Sequence, residues 1–375
     1  MKNERMIPNA QSASYSSIVH YHDVRGYGRF GSVRMRRVVH LGPIGSKGGM
    51  STVVASLCFN PPDNWISESI PTHSERGLMG KYSAYINAKR ELKSSIHNGG
   101  IDVAHFHVTH GVSWWRKRLL MRICQRSNLP FVVHIHSGRF DDYCSGIAGG
   151  SVRGITQNSN CRVVVLEDRW LKKLESWIPE DSVVIRNSSD SICVRGNHIP
   201  KEEVKLLMLS RDSFGKGHDF ALRVLESLHS QGIGARLVMT GKSSLPRTSV
   251  VVESVEAMGW IGQEEKARAI SEADFLLMPS EFEGSSMSVI EAMVSGLPPI
   301  VSTASAETVG VSSLVLPLDA PEAWAERIAS LRQPRAYRDT VESILVQAER
   351  YSPELARFQW GALYESLLLG SDDGD

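Results

Sequence analysis

From Arg36 to Leu318 the chain alternates two kinds of stretch. Short, nearly unbroken apolar runs rich in Val and Ile alternate with longer segments whose apolar residues recur three and four positions apart. The first kind reads as strands buried on both faces and the second as helices that cover them, which together signal a parallel sheet. Strands are expected at 36–43 (RRVVHLGP), 65–73, 102–109, 130–137, 162–168 and 182–188. Helices are expected from Ser51 and over 82–98, 113–128 and 169–177. The scheme then restarts, with strands at 203–211, 235–241, 274–280, 298–303 and 312–318 and a short apolar segment at 255–262. Helices of this second round fall at 216–232, 263–273, from Ser286 or Met287, and 321–333. A last helical stretch over 337–370 is broken at Ser352–Pro353.

The fold class expected is α/β: two Rossmann-like doubly wound domains facing each other across a cleft, with the C-terminal helix crossing back to the first domain. Boundaries are placed as a flexible N-terminal tail at 1–36, an N-terminal domain at 37–190 and a linker at 191–203. The C-terminal domain follows at 204–349, then the crossover helix and acidic tail at 350–375. At 375 residues and 42% hydrophobic there is apolar material for two cores. No apolar run approaches the roughly 20 residues of a membrane span. The N-terminus lacks the apolar centre of a signal peptide. Cys58, Cys124, Cys144, Cys161 and Cys193 are scattered and odd in number, which argues against a disulfide framework and for a reducing cytoplasm. Net charge is +1, but residues 1–200 carry 26 Lys+Arg against 15 Asp+Glu and the remainder 16 against 26. A basic first half facing an anionic partner is one reading, and a chance distribution is the other.

The stretch SEFEGSSMSVIEAMVSGLPPIVS (280–302) carries the candidate chemistry. It leaves the carboxyl end of a strand, where ligands of doubly wound sheets bind. A helix beginning near Ser286 or Met287 would aim its free N–H groups and positive dipole end at that cleft, a ready site for a diphosphate. Gly284 and the small Ser285 let backbone approach a ligand closely. Glu283 before the turn and Glu291 more than one turn into the helix are candidate acceptors for hydroxyls on either side. A phosphate site between two hydroxyl acceptors has the shape of a nucleotide-diphosphate sugar. The plainer alternative has Glu283 capping the helix and Glu291 solvated.

This region resembles the Glu-x7-Glu segment of the retaining family-4 glycosyltransferases of GT-B fold (glycosyl transferases group 1), and other pieces match in the same order. LGPIGSKGGMSTVVASL (41–57), with Gly48–Gly49, is similar to the family's first loop. VVHIHS (132–137) is similar to the strand that presents a histidine to the donor sugar, here His136, and VVIRNS (183–188) to the hinge strand ending in Asn187. LSRDSFGKGHDFALRVLESL (209–228) carries the Arg and Lys five apart, here Arg211 and Lys216, and MGWIGQEEK (258–266) is similar to the base-binding strand and turn. The resemblance covers roughly 37–365. It implies a hexosyltransferase (EC 2.4 class) that takes a UDP- or GDP-sugar donor and retains anomeric configuration by same-face attack.

His136, Arg211, Lys216 and Glu283 are the implied catalytic residues. Gly48, Gly49, Trp260, Ile261, Gly284, Ser285, Ser286, Met287, Ser288 and Glu291 are the implied donor-binding set. Two fixed cations, Arg211 and Lys216, answer the negative charge that builds on a departing phosphate, so metal-independent transfer with no cofactor is expected. Gly48–Gly49 is open to a second reading as a plain tight turn, and Arg211 and Lys216 as surface charges. Ser285–Ser286 stand where the family commonly has an aromatic residue, which leaves the sugar open. The Asp-x-Asp in the SDDGD terminus reads as a solvated tail. His105, His107, His110, His134 and His136 crowd two strand ends. With no Cys or carboxylate to complete a metal set, they are read as hydrogen-bonded cleft residues.

Trp114, Trp115, Arg116, Lys117, Arg118 and Arg122 make an aromatic and basic cluster on one helix. One reading docks this cluster on an anionic membrane to reach a lipid-linked acceptor, placing a cytoplasmic protein at the inner face. The other packs Leu119, Leu120 and Ile123 on the sheet as an ordinary amphipathic helix. The expected setting is polysaccharide, glycolipid or lipid-linked oligosaccharide synthesis, with no nucleic-acid partner. A nucleotide-sugar epimerase of the same architecture and an inactive nucleotide-sugar binding protein are the competing classes.

Overall fold

Two all-parallel sheets, each covered by helices on both faces, form from the alternation described above. The computed structural model describes residues 34–193, 195, 198–242 and 252–372. The expected tail, apart from 34–36, lies outside these residues, as do parts of the linker and the last three residues of the acidic terminus.

The first sheet holds β1 (Arg36–Gly42), β2 (Trp65–Pro71), β3 (Val103–Val108), β4 (Phe131–Ile135), β5 (Cys161–Val165) and β6 (Val183–Val184), in the order β2-β1-β3-β4-β5-β6. Between them run α1 (Gly49–Phe59), α2 (Gly77–His97), α3 (Val112–Arg126), α4 (Phe140–Tyr143), α5 (Gly149–Thr156) and α6 (Asp168–Leu174). The second sheet holds β7 (Val204–Met208), β8 (Ala235–Thr240), β9 (Val255–Gly259), β10 (Phe275–Met278) and β11 (Pro299–Val301), in the order β11-β10-β7-β8-β9. Its helices are α7 (His218–Ser230), α8 (Gln263–Glu272), α9 (Met287–Val294), α10 (Ala306–Val309), α11 (Pro321–Leu331) and α12 (Pro334–Ala348). In each sheet the strand order reverses beside the first strand, between β1 and β3 and between β7 and β10, and such switch points open a crevice at the strands' carboxyl ends.

α13 (Pro353–Asp372) follows the break at Ser352–Pro353 and lies on the first sheet. Trp360, Leu363, Tyr364 and Leu367 bury against Val38, Val103, Val132 and Val164, one residue from each of four neighbouring strands. The Trp65 indole N–H donates to Glu365 at 3.0 Å, and Arg36 pairs with the same carboxylate. Among the described residues no helix is long and apolar enough to cross a membrane. All five cysteines are free.

Three expectations need correction. Residues 312–318 do not form a strand: Ser312–Leu314 is a single 3-10 turn, and only Val315 bridges to Val301. Pro317 has no N–H to offer a ladder, and its carbonyl accepts from the Trp324 indole at 2.8 Å instead. The strand expected over 182–188 is two residues long, because it is the sheet's edge and the chain leaves it at once. Residues 140–156, given no element from sequence, wind into α4, a π-turn and α5. Four glycines and several polar residues there blur any helical period.

Candidate functional site

The carboxyl ends of the two sheets face each other across an open cavity. All fourteen residues singled out above as catalytic or donor-binding line it, from both sheets. Gly48, Gly49 and His136 come from the first, and the other eleven from the second. Asn187, Thr109 and Lys266 line it too.

At its centre is the N-terminus of α9. Ser286 is the N-cap residue, in extended backbone conformation, and no side chain caps the helix, so its first N–H groups point into the cavity. A Lys–Glu pair stands on each side. The Lys216 ammonium donates to Glu283 Oε1 at 2.6 Å, and the Lys266 ammonium to Glu291 Oε1 at 2.6 Å. Glu291 is buried rather than solvated; burial raises its pKa and the Lys266 charge opposes that. Ser288 is turned away from a ligand, since its hydroxyl donates to the Leu209 carbonyl at 2.7 Å.

The Gly48–Gly49 loop meets this arrangement from the other side. α1 begins at Gly49, two residues before the expected start, again without a side-chain cap. Gly48 has φ +132°, a conformation that favours glycine, and a Cβ there would stand 3.4 Å from the Arg211 guanidinium. A Cβ on Gly49 would stand 3.2 Å from the Met287 side chain. The pair is therefore a contact across the cleft, not only a turn. Trp260, half exposed, closes the rim, with the Lys47 ammonium from the opposite loop 6.0 Å above its ring.

Gly284 lines the cavity and also has a second role. A side chain there would run into the His136 carbonyl, and one at Gly138 into the Glu283 backbone. These two glycines let the loops after β10 and β4 touch backbone to backbone. The Trp170 indole N–H donates to the Gly284 carbonyl at 2.7 Å and the Arg169 guanidinium to the Glu283 carbonyl at 3.0 Å. The first N–H groups of α6 are capped from the second sheet: Asp168 and Arg169 donate to the Glu307 carboxylate at 2.6 and 3.1 Å.

The histidines are not all cleft residues. His136 lines the cavity, and burial lowers its pKa to about 3, with the nearby Lys117 charge adding to the shift. His105, His107 and His134 lie in the interior, where Trp360 of α13 packs on His105 and His134. The aromatic and basic cluster on α3 is also divided. Trp114 is fully buried, bonding Ser151 Oγ at 3.1 Å and packing on Phe140, and Lys117 is buried with its ammonium donating to Ser113 Oγ at 3.0 Å. Burial lowers Lys117 to about 7. Helical period, not charge, sorts them: 114, 117 and 121 share the face against the sheet. Leu119, expected to pack inward, is exposed instead, while Leu120 is buried.

Sequence reasoning missed Lys266 and Glu307. Each sits on a helix where a charged residue reads as solvated, and its partner is 25 residues away for Lys266 and 138–139 for Glu307.

Residues 203–333 match the family described as Glycosyl transferases group 1. The chain is 26% identical over 265 residues to Bacillus subtilis (strain 168) EpsF, to which a glycosyltransferase role is ascribed; the match spans 66% of this chain and 65% of that one, just under two thirds of its length. Among solved structures, sucrose-phosphate synthase from Thermosynechococcus elongatus is similar with TM-score 0.68 and 16% identity, over 89% of this chain and all of that one. Anabaena HepE, solved in complex with UDP, is similar with TM-score 0.66 and 13% identity, over 88% of this chain and all of that one. At such identities the structural likeness speaks to fold. The chain thus has the fold of GT-B structures, and its residues 203–333 are similar to the glycosyl transferases group 1 family.

Proposed function

We propose that the chain is a retaining glycosyltransferase that moves a hexosyl unit from a nucleotide-diphosphate sugar to a hydroxyl acceptor. The observation that carries this reading is the uncapped N-terminus of α9 set between the Lys216–Glu283 and Lys266–Glu291 pairs and facing Arg211 and Gly48. The diphosphate takes the α9 N–H groups, with Arg211 and Lys216 as fixed cations. As the sugar–phosphate bond breaks, charge develops on the leaving oxygen and these groups stabilise it without a metal at the diphosphate. Glu291 accepts the ribose hydroxyls, held in place by Lys266, and Glu283 accepts from the sugar while orienting Lys216. Backbone at Trp260–Gly262 receives the base. HepE, of the same fold, was solved with UDP and with UDP-glucose, which makes a uridine donor the first to test.

The acceptor enters from the first sheet and is a polysaccharide, glycolipid or lipid-linked oligosaccharide. Docking on an anionic membrane uses the outward face of α3, where Val112, Trp115 and Leu119 are exposed beside Arg118 and Arg122.

Thermal stabilisation by a panel of nucleotide sugars tests the donor site. One donor should raise Tm by several degrees, and Lys216→Ala and Glu291→Ala should each abolish the shift. A flat response to every nucleotide sugar would remove the donor-site reading.

A further inference from the structure

On the face of the first sheet that α13 covers, the side chains change character along the strands. Val38, Val103 and Val132 pack at the base. Two positions on, the same strands present His40, His105 and His134, and two further on His107 and His136. The register sets His40 beside His105 and His107 beside His134. Five imidazoles therefore share one patch.

They bond to one another. His40 Nδ1 and His107 Nε2 are 3.1 Å apart, His107 Nδ1 and His136 Nε2 3.0 Å, and His105 Nε2 and His134 Nδ1 3.1 Å. The remaining contact is His105 Nδ1 with the Tyr364 hydroxyl at 2.7 Å. A neutral imidazole has one donor and one acceptor, so these rows have a direction. The Nε2 atom of His134 is buried and has no partner. An orphaned buried N–H is rarer than an orphaned lone pair. On that ground His134 donates from Nδ1 to His105, and its Nε2 carries an unused lone pair.

We propose that His107, His134 and His136 hold a divalent transition-metal ion of the zinc class. Their ligand atoms all lie within 4.8 Å of one another, so small side-chain rotations would bring them to the roughly 3.3–3.4 Å between nitrogens bound at about 2.0–2.1 Å to one tetrahedral ion. The ion takes the place of the proton between His107 Nδ1 and His136 Nε2 and uses the free lone pair of His134. The outer contacts are in place: His134 donates from Nδ1 to His105, which Tyr364 holds, and His40 Nδ1 lies on His107 Nε2. His40 Nε2 is buried without a partner too, so without the ion His40 donates to His107. Binding through His107 Nδ1 moves that ring's proton to Nε2, reverses this bond and leaves the His40 proton on Nε2. Such second contacts fix tautomer and ring direction in metal sites. A donor set of imidazoles with no carboxylate favours Zn²⁺, Co²⁺, Ni²⁺ or Cu²⁺ over Mg²⁺ or Ca²⁺. The ion fixes His136 in the cleft wall and stands apart from the diphosphate cations. This departs from the metal-free expectation drawn from the sequence and does not depend on the transferase reading.

Titrating Co²⁺ alone into the tag-free, chelator-stripped full chain tests the site by visible absorption. The expected result is one equivalent bound with the bands of tetrahedral cobalt, and a Tm raised by Zn²⁺ but not by Mg²⁺. His134→Gln should weaken Co²⁺ binding at least tenfold, while the exposed His97→Gln should not change it. Should His134→Gln fail to fold, His40→Gln keeps all three ligands and should weaken binding roughly tenfold through the outer bond alone. Absence of cobalt bands in the wild type, or equal binding by wild type and the folded variants, would overturn the proposal.

Discussion

Glu167 is completely buried where the two halves of the molecule meet. Burial raises its carboxyl to about 7; Arg169, Thr308 and Ser285 pull it down, and Glu307 pushes it further up. A carboxyl whose folded pKa lies above its unfolded value of 4.5 binds a proton on folding. Its contribution is full below about pH 4.5 and is lost as pH rises to about 7, at up to about 1.4 kcal/mol per pH unit. Glu167→Gln, with no proton to lose, should flatten the decline of the urea midpoint between pH 5 and 7.5; equal slopes for variant and wild type would mean that Glu167 titrates normally. Glu167 gave no signal in the sequence, since Thr308, which bonds its carboxylate, is 141 residues away. Glu283 and Glu291 were legible from their spacing around a strand end and the helix after it, and Arg211 and Lys216 from the resemblance of 209–228. That one pair would be Lys216 with Glu283, and the other Lys266 with Glu291, was not.

α3 shows what a helical period can and cannot disclose. The positions were legible as helix, yet six neighbouring aromatic and basic residues read as one patch until the helix turned Trp114 and Lys117 inward. What remains outside is smaller: Val112, Trp115 and Leu119, with the Arg118 guanidinium 5.0 Å from the Trp115 ring. If this face docks on anionic lipid, each basic residue near the surface contributes about 1 kcal/mol. The double charge reversal Arg118→Glu with Arg122→Glu should then cut sedimentation with phosphatidylglycerol vesicles more than tenfold. Vesicles that fail to retain the wild type, or retain both proteins equally, would exclude α3 as the contact. The segment 312–318 failed in the opposite way, because an apolar run of strand length carries no record of whether a neighbouring strand will accept it.

At the scale of the molecule, two doubly wound halves were readable because continuous apolar runs alternating with helices have few other solutions. The closeness of the halves was not. It depends on Gly138 and Gly284 meeting backbone to backbone, and on Glu307 completing a helix that begins on the other side. Trp260 sits on this boundary with Lys47 from the opposite loop above its ring, and most of the other indoles are buried. Indole emission responds to nearby charge and to solvent, so the cleft carries a built-in optical reporter. A nucleotide that reaches the rim, or any change in the distance between the halves, should alter the intrinsic fluorescence without a label. Adding UDP should change the emission of the wild type and leave Trp260→Phe almost unaffected; the same change in both would trace the signal to another tryptophan. Stopped-flow emission would then time the arrival of a nucleotide at the rim in the unmodified chain.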